Sequence, residues 1–182
     1  MIQTTNGVYE SLSRLLVYPT ETIKNTTNEC REHMQRTCSS AAEAVVEFSE
    51  FVNGSTVSDL QELYTRTFEI NPVCALEVGW QLFGERYERG TFIVKMRGTL
   101  RELDLPESSE LPDHLVHVLQ ALDRLQPDEA REFASLFLVP AVDKMLDGFK
   151  QTENAYCKIL NAINCEVRDR YNLPAKGVSG DD

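Results

Sequence analysis

The chain has 182 residues and a formal net charge of −11, with 42% hydrophobic and 26% charged residues. This size and this balance are typical of one soluble, folded domain and exclude a disordered or fibrous protein. A chain with such an excess of acids repels nucleic acid unless its basic residues form a patch, and the sequence shows no such patch.

The start of the chain and its cysteines indicate a compartment. The first twenty residues lack the basic start and apolar stretch of a secretory signal, and no apolar run approaches the roughly 18 residues that span a bilayer. The five cysteines are scattered and never spaced as C-x-x-C, which argues against a disulfide framework and a zinc ribbon. Cys157 and Cys165 lie in an apolar helical stretch and are expected in the core. We therefore predict a cytoplasmic protein with reduced thiols and no membrane span.

Helical patterns recur from end to end and strand alternation is missing, which predicts an all-α fold, a single-domain bundle of about eight to nine helices. The first helix is expected over residues 8–17, because the residue before Pro19 disfavours helix. A polar second helix follows over 21–37, a third over 41–52 and a fourth over 56–69.

The second half of the chain continues this pattern. A fifth helix is expected over residues 75–83 and a sixth over 86–103. Two prolines and two serines in residues 104–112 then indicate a hinge-like loop. A seventh helix is expected over 113–125.

The eighth helix begins at residue 127 or 128, and we expect Pro140 to break or kink the run before a long last helix that ends near Tyr171. We assign residues 1–172 to one helical domain and residues 173–182 to a flexible C-terminal tail.

Acids are concentrated between residues 40 and 70, where six acidic side chains accompany one basic side chain. A basic peptide would be attracted there, although a solvated helix face is the more common meaning of such a run. Tyr64 and Phe68 share one face of the fourth helix, a spacing that fits either a core or a groove. Trp80, the only tryptophan, is compatible with both.

The stretch ELPDHL (110–115) combines an acid, a proline, an aspartate and a histidine. On a helical wheel Asp113 points nearly opposite the apolar stripe of the seventh helix, so we expect it outside the core, with His114 on the border. Pro112 and Asp113 could simply start the helix. Glu110, His114 and His117 could instead bind zinc, so a metal-dependent hydrolase centred on the two histidines is one alternative.

Catalytic motifs give that alternative no further support. The sequence contains no glycine-rich phosphate loop, no nucleophile elbow and no H-E-x-x-H motif. We therefore predict that the chain is not an enzyme and has no cofactor or metal of its own. A plain helical adaptor is the other alternative.

Three motifs carry a resemblance to a known family: LQELYTRTFEINP (60–72), LFGERYERG (82–90) and ELPDHL (110–115). In this order and spacing they resemble the NarJ-type nitrate reductase assembly chaperones of the TorD/DmsD superfamily of redox-enzyme maturation proteins. The best-matching block, residues 60–122, is about a third of the chain. The resemblance implies a cytoplasmic chaperone without catalytic activity, dedicated to a molybdenum enzyme of the dimethyl sulfoxide reductase class.

Such chaperones bind the N-terminal leader or tail of the catalytic subunit, which in some cases carries a twin-arginine motif. They keep the apo-protein competent for insertion of its molybdenum cofactor and delay export or membrane docking until it is loaded. The expected partner is thus the catalytic subunit of a molybdenum oxidoreductase, with the proteins that make the molybdenum cofactor as further candidates. Exchange across the loop 104–112 would allow a swapped dimer as well as a monomer.

The resemblance also implies a peptide groove. Its expected residues are Tyr64, Phe68, Trp80, Leu82, Phe83, Glu110, Pro112, Asp113 and His114. From the chemistry of a basic, apolar leader we expect Glu62 and Glu69 on the rim and an exposed Asp113 as a further carboxylate for an arginine.

Overall fold

The computed structural model describes residues 7–37, 39–149 and 153–175. The helices are α1 (Val8–Ser13), α2 (Ile23–Arg36), α3 (Ala42–Gly54), α4 (Val57–Tyr64), α5 (Val78–Phe83), α6 (Tyr87–Glu102), α7 (Leu115–Leu122), α8 (Pro127–Phe133), α9 (Val139–Asp147) and α10 (Ala155–Tyr171). A 3-10 turn (Arg14–Leu16) extends α1, and π-helical turns follow α4 (Thr65–Glu69) and α8 (Ala134–Leu138). Most of the predicted C-terminal tail lies outside the described residues.

The predicted all-α bundle is confirmed. Because α8, its π-helical turn and α9 are continuous, the described part of the chain holds nine helical runs, within the expected eight to nine. In the core α2 packs on α3, α10 on both α3 and α9, and α1 on α7. Within the described ranges, no helix combines the length and the apolarity needed to cross a bilayer.

The long segment that follows α8 differs from the prediction. Pro140 lies in the first turn of α9, and the helix does not break there, because the preceding π-helical turn changes the hydrogen-bond register just before the proline. The expected single last helix is wrong: α9 ends at Asp147, and the Asn154 side chain starts α10 by accepting the Tyr156 N–H at 3.0 Å.

The expectation of buried cysteines on the last helix is also wrong. Cys157 is half-buried and Cys165 is exposed, whereas Cys30 and Cys74 are buried. α10 buries the side that carries Tyr156, Ile159, Leu160, Ile163 and Val167. Both cysteines lie on the flank of this stripe, where Cys157 packs only partly against the core and Cys165 faces outward. None of the four cysteines that the structure describes is joined in a disulfide.

A short extended pairing sets where α5 and α7 begin. The Val78 N–H donates to the Asp113 carbonyl at 2.9 Å, the Leu115 N–H donates to the Leu76 carbonyl at 2.8 Å, and Glu77 and His114 form an isolated antiparallel bridge. Both helices therefore start later than predicted. The pairing also brings the segment after α4 next to the loop before α7, two regions far apart in sequence.

Asp113 is fully buried, with 0% of its surface exposed. The expectation that it lies outside the core is wrong, because Asp113 lies in the turn before α7, where the helical wheel does not apply. Leu111, four residues before Leu115 and thus in line with the apolar stripe on a helical wheel, is 42% exposed for the same reason. Within the helix the stripe is correct: Leu115, Val118 and Leu119 are buried.

Candidate functional site

A pocket of about 410 Å³ opens between the end of α4, the segment leading into α5, the first turn of α6 and the loop before α7. It is lined by Tyr64, Phe68, Glu69, Ile70, Pro72, Ala75, Leu76, Glu77, Trp80, Arg89, Glu110 and His114. Five of the nine residues expected at a peptide groove are in this lining. They come from three separate stretches of sequence, and the Glu77–His114 bridge joins the second of these to the third.

Two aromatic side chains form the floor of the pocket. Tyr64 and Phe68 are each 5% exposed, and both rings pack edge-on against Tyr156, at centroid distances of 5.8 and 4.9 Å. The Tyr64 hydroxyl donates to the Leu16 carbonyl at 3.0 Å. The sequence left core and groove open for these residues, and the structure shows core side chains that also reach the pocket.

The π-helical turn Thr65–Glu69 shapes the mouth above this floor. The Ile70 N–H donates to the Thr65 carbonyl at 3.1 Å, five residues back, so the turn holds one more residue than an α-helical turn. Phe68 faces the core, while Glu69 and Ile70 reach the opening, and Ile70 is 72% exposed. The turn therefore places an acid and an apolar side chain side by side at the mouth.

Side chains of α5 fix the opposite wall. The Trp80 Nε1–H donates to the Pro72 carbonyl at 2.9 Å. Gln81 Nε2 donates to the carbonyls of Val73, at 3.1 Å, and Ala75, at 2.8 Å. The indole is thus held as a wall of the pocket, and the segment before α5 is tied to the helix that follows it.

Four of the expected groove residues lie outside the lining. Leu82 and Phe83 are half-buried against the core, and the Phe83 ring packs on Phe92 with 5.8 Å between centroids. Pro112, the last residue of the loop 104–112, is buried. Asp113 is buried behind the pocket and is not available as an exposed carboxylate for an arginine.

Asp113 instead joins α5 to the start of α7. Its Oδ2 accepts the Gly79 N–H at 3.1 Å, and its carbonyl accepts the Val78 N–H. Burial raises the pKa of the Asp113 carboxyl, and the nearby Arg89 lowers it in part. An acid at this position therefore holds the walls of the site in place without touching its contents.

His114 lines the pocket and is 4% exposed. Its Nδ1 accepts the Val116 N–H at 3.3 Å and caps α7. Burial, together with His117, lowers the pKa of His114 to about 4. The imidazole is therefore neutral at pH 7, with its proton on Nε2.

His117 fastens the loop before α7. Its Nδ1 is 2.9 Å from the Leu111 carbonyl, and its Nε2 accepts the Ser108 N–H at 3.2 Å. Both ring nitrogens are thus engaged with backbone, so a metal centred on His114 and His117 would have to displace the loop. No group of three potential metal ligands occurs among the described residues.

The mouth of the pocket carries three carboxylates, those of Glu69, Glu77 and Glu110. Burial raises the pKa of the Tyr64 phenol, and the negative charges of all three acids raise it further. Glu62, expected on the rim, does not line the pocket and lies 3.9 Å from Arg66 one helical turn on.

Sequence reasoning missed six residues of the lining, and the two charged ones among them are Glu77 and Arg89. The sequence gives no signal for Glu77, because its position in the pocket depends on the long-range bridge to His114. Arg89 lies within LFGERYERG (82–90), one of the family motifs, and this was the available signal.

The model of one known protein family, the nitrate reductase delta subunit, matches residues 35–157, which is more than half of the chain and includes every residue of the pocket lining. No curated protein matches the chain significantly. The chain therefore belongs to the nitrate reductase delta subunit family, whose NarJ-type members are chaperones of molybdoenzyme maturation.

Proposed function

We propose that the pocket binds the N-terminal leader or tail of the catalytic subunit of a nitrate reductase-like molybdenum enzyme. In this proposal the chaperone acts in the cytoplasm and keeps the subunit competent for insertion of the molybdenum cofactor before export or membrane docking. The observation that carries it is the combination of an aromatic floor with three carboxylates at the mouth.

An amphipathic, basic segment complements this combination. Its apolar side chains can bury against Tyr64, Phe68 and Trp80, the helix-in-groove mode of recognition. Its arginine or lysine side chains can pair with Glu69 and Glu110 through charge-assisted hydrogen bonds. A volume of about 410 Å³ accommodates a few side chains and not a folded domain.

The energetics are compatible with useful affinity. Burying two large apolar side chains contributes about 1.5–3 kcal/mol each, and two hydrogen bonds to charged groups contribute about 1.5–3 kcal/mol each. A micromolar complex needs about 8 kcal/mol. Ordering of the peptide offsets part of the gain, so we expect a dissociation constant in the micromolar range.

Peptide titration tests the proposal. Synthetic N-terminal peptides of the host's molybdoenzyme catalytic subunits are added to the protein while Trp80 fluorescence is followed, with calorimetry as a second readout. Saturable micromolar binding of one leader is expected, weaker at high salt. The double variant Glu69→Gln/Glu110→Gln should weaken it at least tenfold, because two charge-assisted contacts are lost.

Glu50→Gln is the matched control, since Glu50 is exposed on α3 and does not line the pocket. It should leave the affinity nearly unchanged. If none of the leaders binds by either readout, the proposal fails and a generic helical adaptor becomes the better hypothesis.

A further inference from the structure

Arg89 is the only arginine or lysine in the pocket lining that the structure describes. Its guanidinium carbon lies 5.3 Å from the centre of the Trp80 ring. Its Nε is fully buried and has no hydrogen-bond partner, and no ion pair joins the guanidinium to another described residue. A buried donor without an acceptor is costly, and native proteins rarely leave one without a reason.

The neighbouring acids do not supply that acceptor. Asp113 attracts Arg89 electrostatically, but its Oδ2 accepts the Gly79 N–H, and neither its buried Oδ1 nor the Arg89 Nε has a hydrogen-bond partner among the described residues. Glu69, Glu77 and Glu110 share the pocket with Arg89 without pairing to it. No side-chain donor of Arg89 thus makes a hydrogen bond to a described residue, although three carboxylates share the lining with it.

We infer that Arg89 binds a carboxylate of the leader, so that the segment this pocket selects carries an acidic side chain as well as basic ones. This inference rests on the proposed function and adds the charge pattern of the ligand. The planar guanidinium matches a carboxylate through two parallel hydrogen bonds, and stacking on Trp80, itself tied to Pro72, holds it in one orientation.

The same arrangement selects against other ligands. A leader with basic side chains only would bring a second cation next to Arg89 in a partly water-excluded site, where like charges repel more strongly than in water. A leader with acidic side chains only would meet the three carboxylates of the mouth. The pocket therefore favours a zwitterionic, amphipathic segment.

The test begins with the leader that binds in the titration described above. Each of its Asp and Glu residues is replaced in turn by Asn or Gln, and the affinity for the unchanged protein is measured by calorimetry. One replacement should raise the dissociation constant about tenfold or more, which is the effect expected when a hydrogen bond between charged groups is lost. In Arg89→Gln the same replacement should have almost no further effect, because the partner is already missing.

Two further variants separate charge from geometry. Arg89→Lys keeps the charge and loses the planar fork, and should recover only part of the affinity. Arg101→Gln makes the same charge change on an exposed position of α6 and should bind as the unchanged protein does. Melting curves establish that each variant is folded. The peptide replacements are measured on the unchanged protein, so their result does not depend on whether an Arg89 variant folds.

The possible results distinguish the two proposals. If a leader binds and none of its acid-to-amide replacements weakens binding, or if it contains no acid, the role of Arg89 is overturned while leader binding stands. If no leader binds, the proposed function fails and the inference fails with it.

Discussion

The carboxylate of Asp113 lies against the backbone of Gly79, which leaves no room for a side chain there. A Cβ at position 79 would lie 2.6 Å from Asp113 Oδ2 and 3.0 Å from Phe92 Cδ1. Gly79→Ala should therefore destabilise the fold by about 1–3 kcal/mol, the usual cost of overpacking, as measured by urea denaturation. The control Gly98→Ala meets nothing within 4 Å in α6 and should be neutral or stabilising. Equal stability of the two variants would show that the contact yields easily.

His114 makes the stability of the fold depend on pH in a defined direction. Its pKa is lowered from 6.5 to about 4, so between these values the unfolded chain binds a proton that the folded chain does not. Above pH 6.5 His114 is neutral in both the folded and the unfolded chain and does not lower the free energy of unfolding. As the pH drops to 4, its protonation in the unfolded chain lowers that free energy by about 3 kcal/mol.

His114→Asn isolates this contribution, because asparagine can still cap α7 but does not titrate. The free energies of unfolding of the unchanged protein and of His114→Asn are measured between pH 4 and 8. The difference between them should shrink as the pH falls, because only the unchanged protein is destabilised by protonation of His114. Asp123, whose pKa burial raises to about 6, titrates in both proteins and cancels in the difference. A constant difference across this range would contradict a buried, neutral His114.

At the scale of elements, local patterns predicted most helices and failed where a distant segment intervenes. α4 and α6 follow from their apolar spacing: Phe92, Met96 and Leu100, each four residues after the last, form the buried side of α6. The starts of α5 and α7 do not follow from it, because the pairing of Glu77 with His114 joins segments 37 residues apart. The spacing of apolar residues within either segment gives no information about this long-range pairing. The burial of Asp113 and the place of Glu77 in the pocket therefore could not be predicted from the sequence.

The segment before α5 owes its order to the helix that follows it. Gln81→Ala would remove both hydrogen bonds to the carbonyls of Val73 and Ala75. We expect a loss of about 1–2 kcal/mol at most, faster hydrogen exchange over residues 72–77, and weaker leader binding because one wall of the pocket loosens. Gln35→Ala, the same change on an exposed position of α2, should alter none of these. Unchanged exchange over residues 72–77 in Gln81→Ala would show that the other bonds to this segment, from Trp80 and from Leu115, hold the wall without Gln81.

At the scale of the whole molecule, the net charge of −11 acts together with the carboxylates at the pocket mouth. Acids concentrated around a cleft attract a basic segment over distances longer than any contact, and salt screens this attraction with a Debye length of about 10 Å at 0.1 M. Contacts made inside the pocket are screened much less. Association and dissociation should therefore respond differently to salt.

For a leader that binds, we expect the association rate to fall about tenfold or more between 0.02 and 0.5 M salt, while the dissociation rate changes much less. Stopped-flow mixing with a fluorescently labelled peptide measures both. The variant Glu69→Gln/Glu110→Gln should show the complementary effect, mainly faster dissociation, because it removes contacts at the mouth and little of the overall charge. A salt effect confined to dissociation would mean that the acids of this chain act only by contact, and that its net charge does not guide the leader to the pocket.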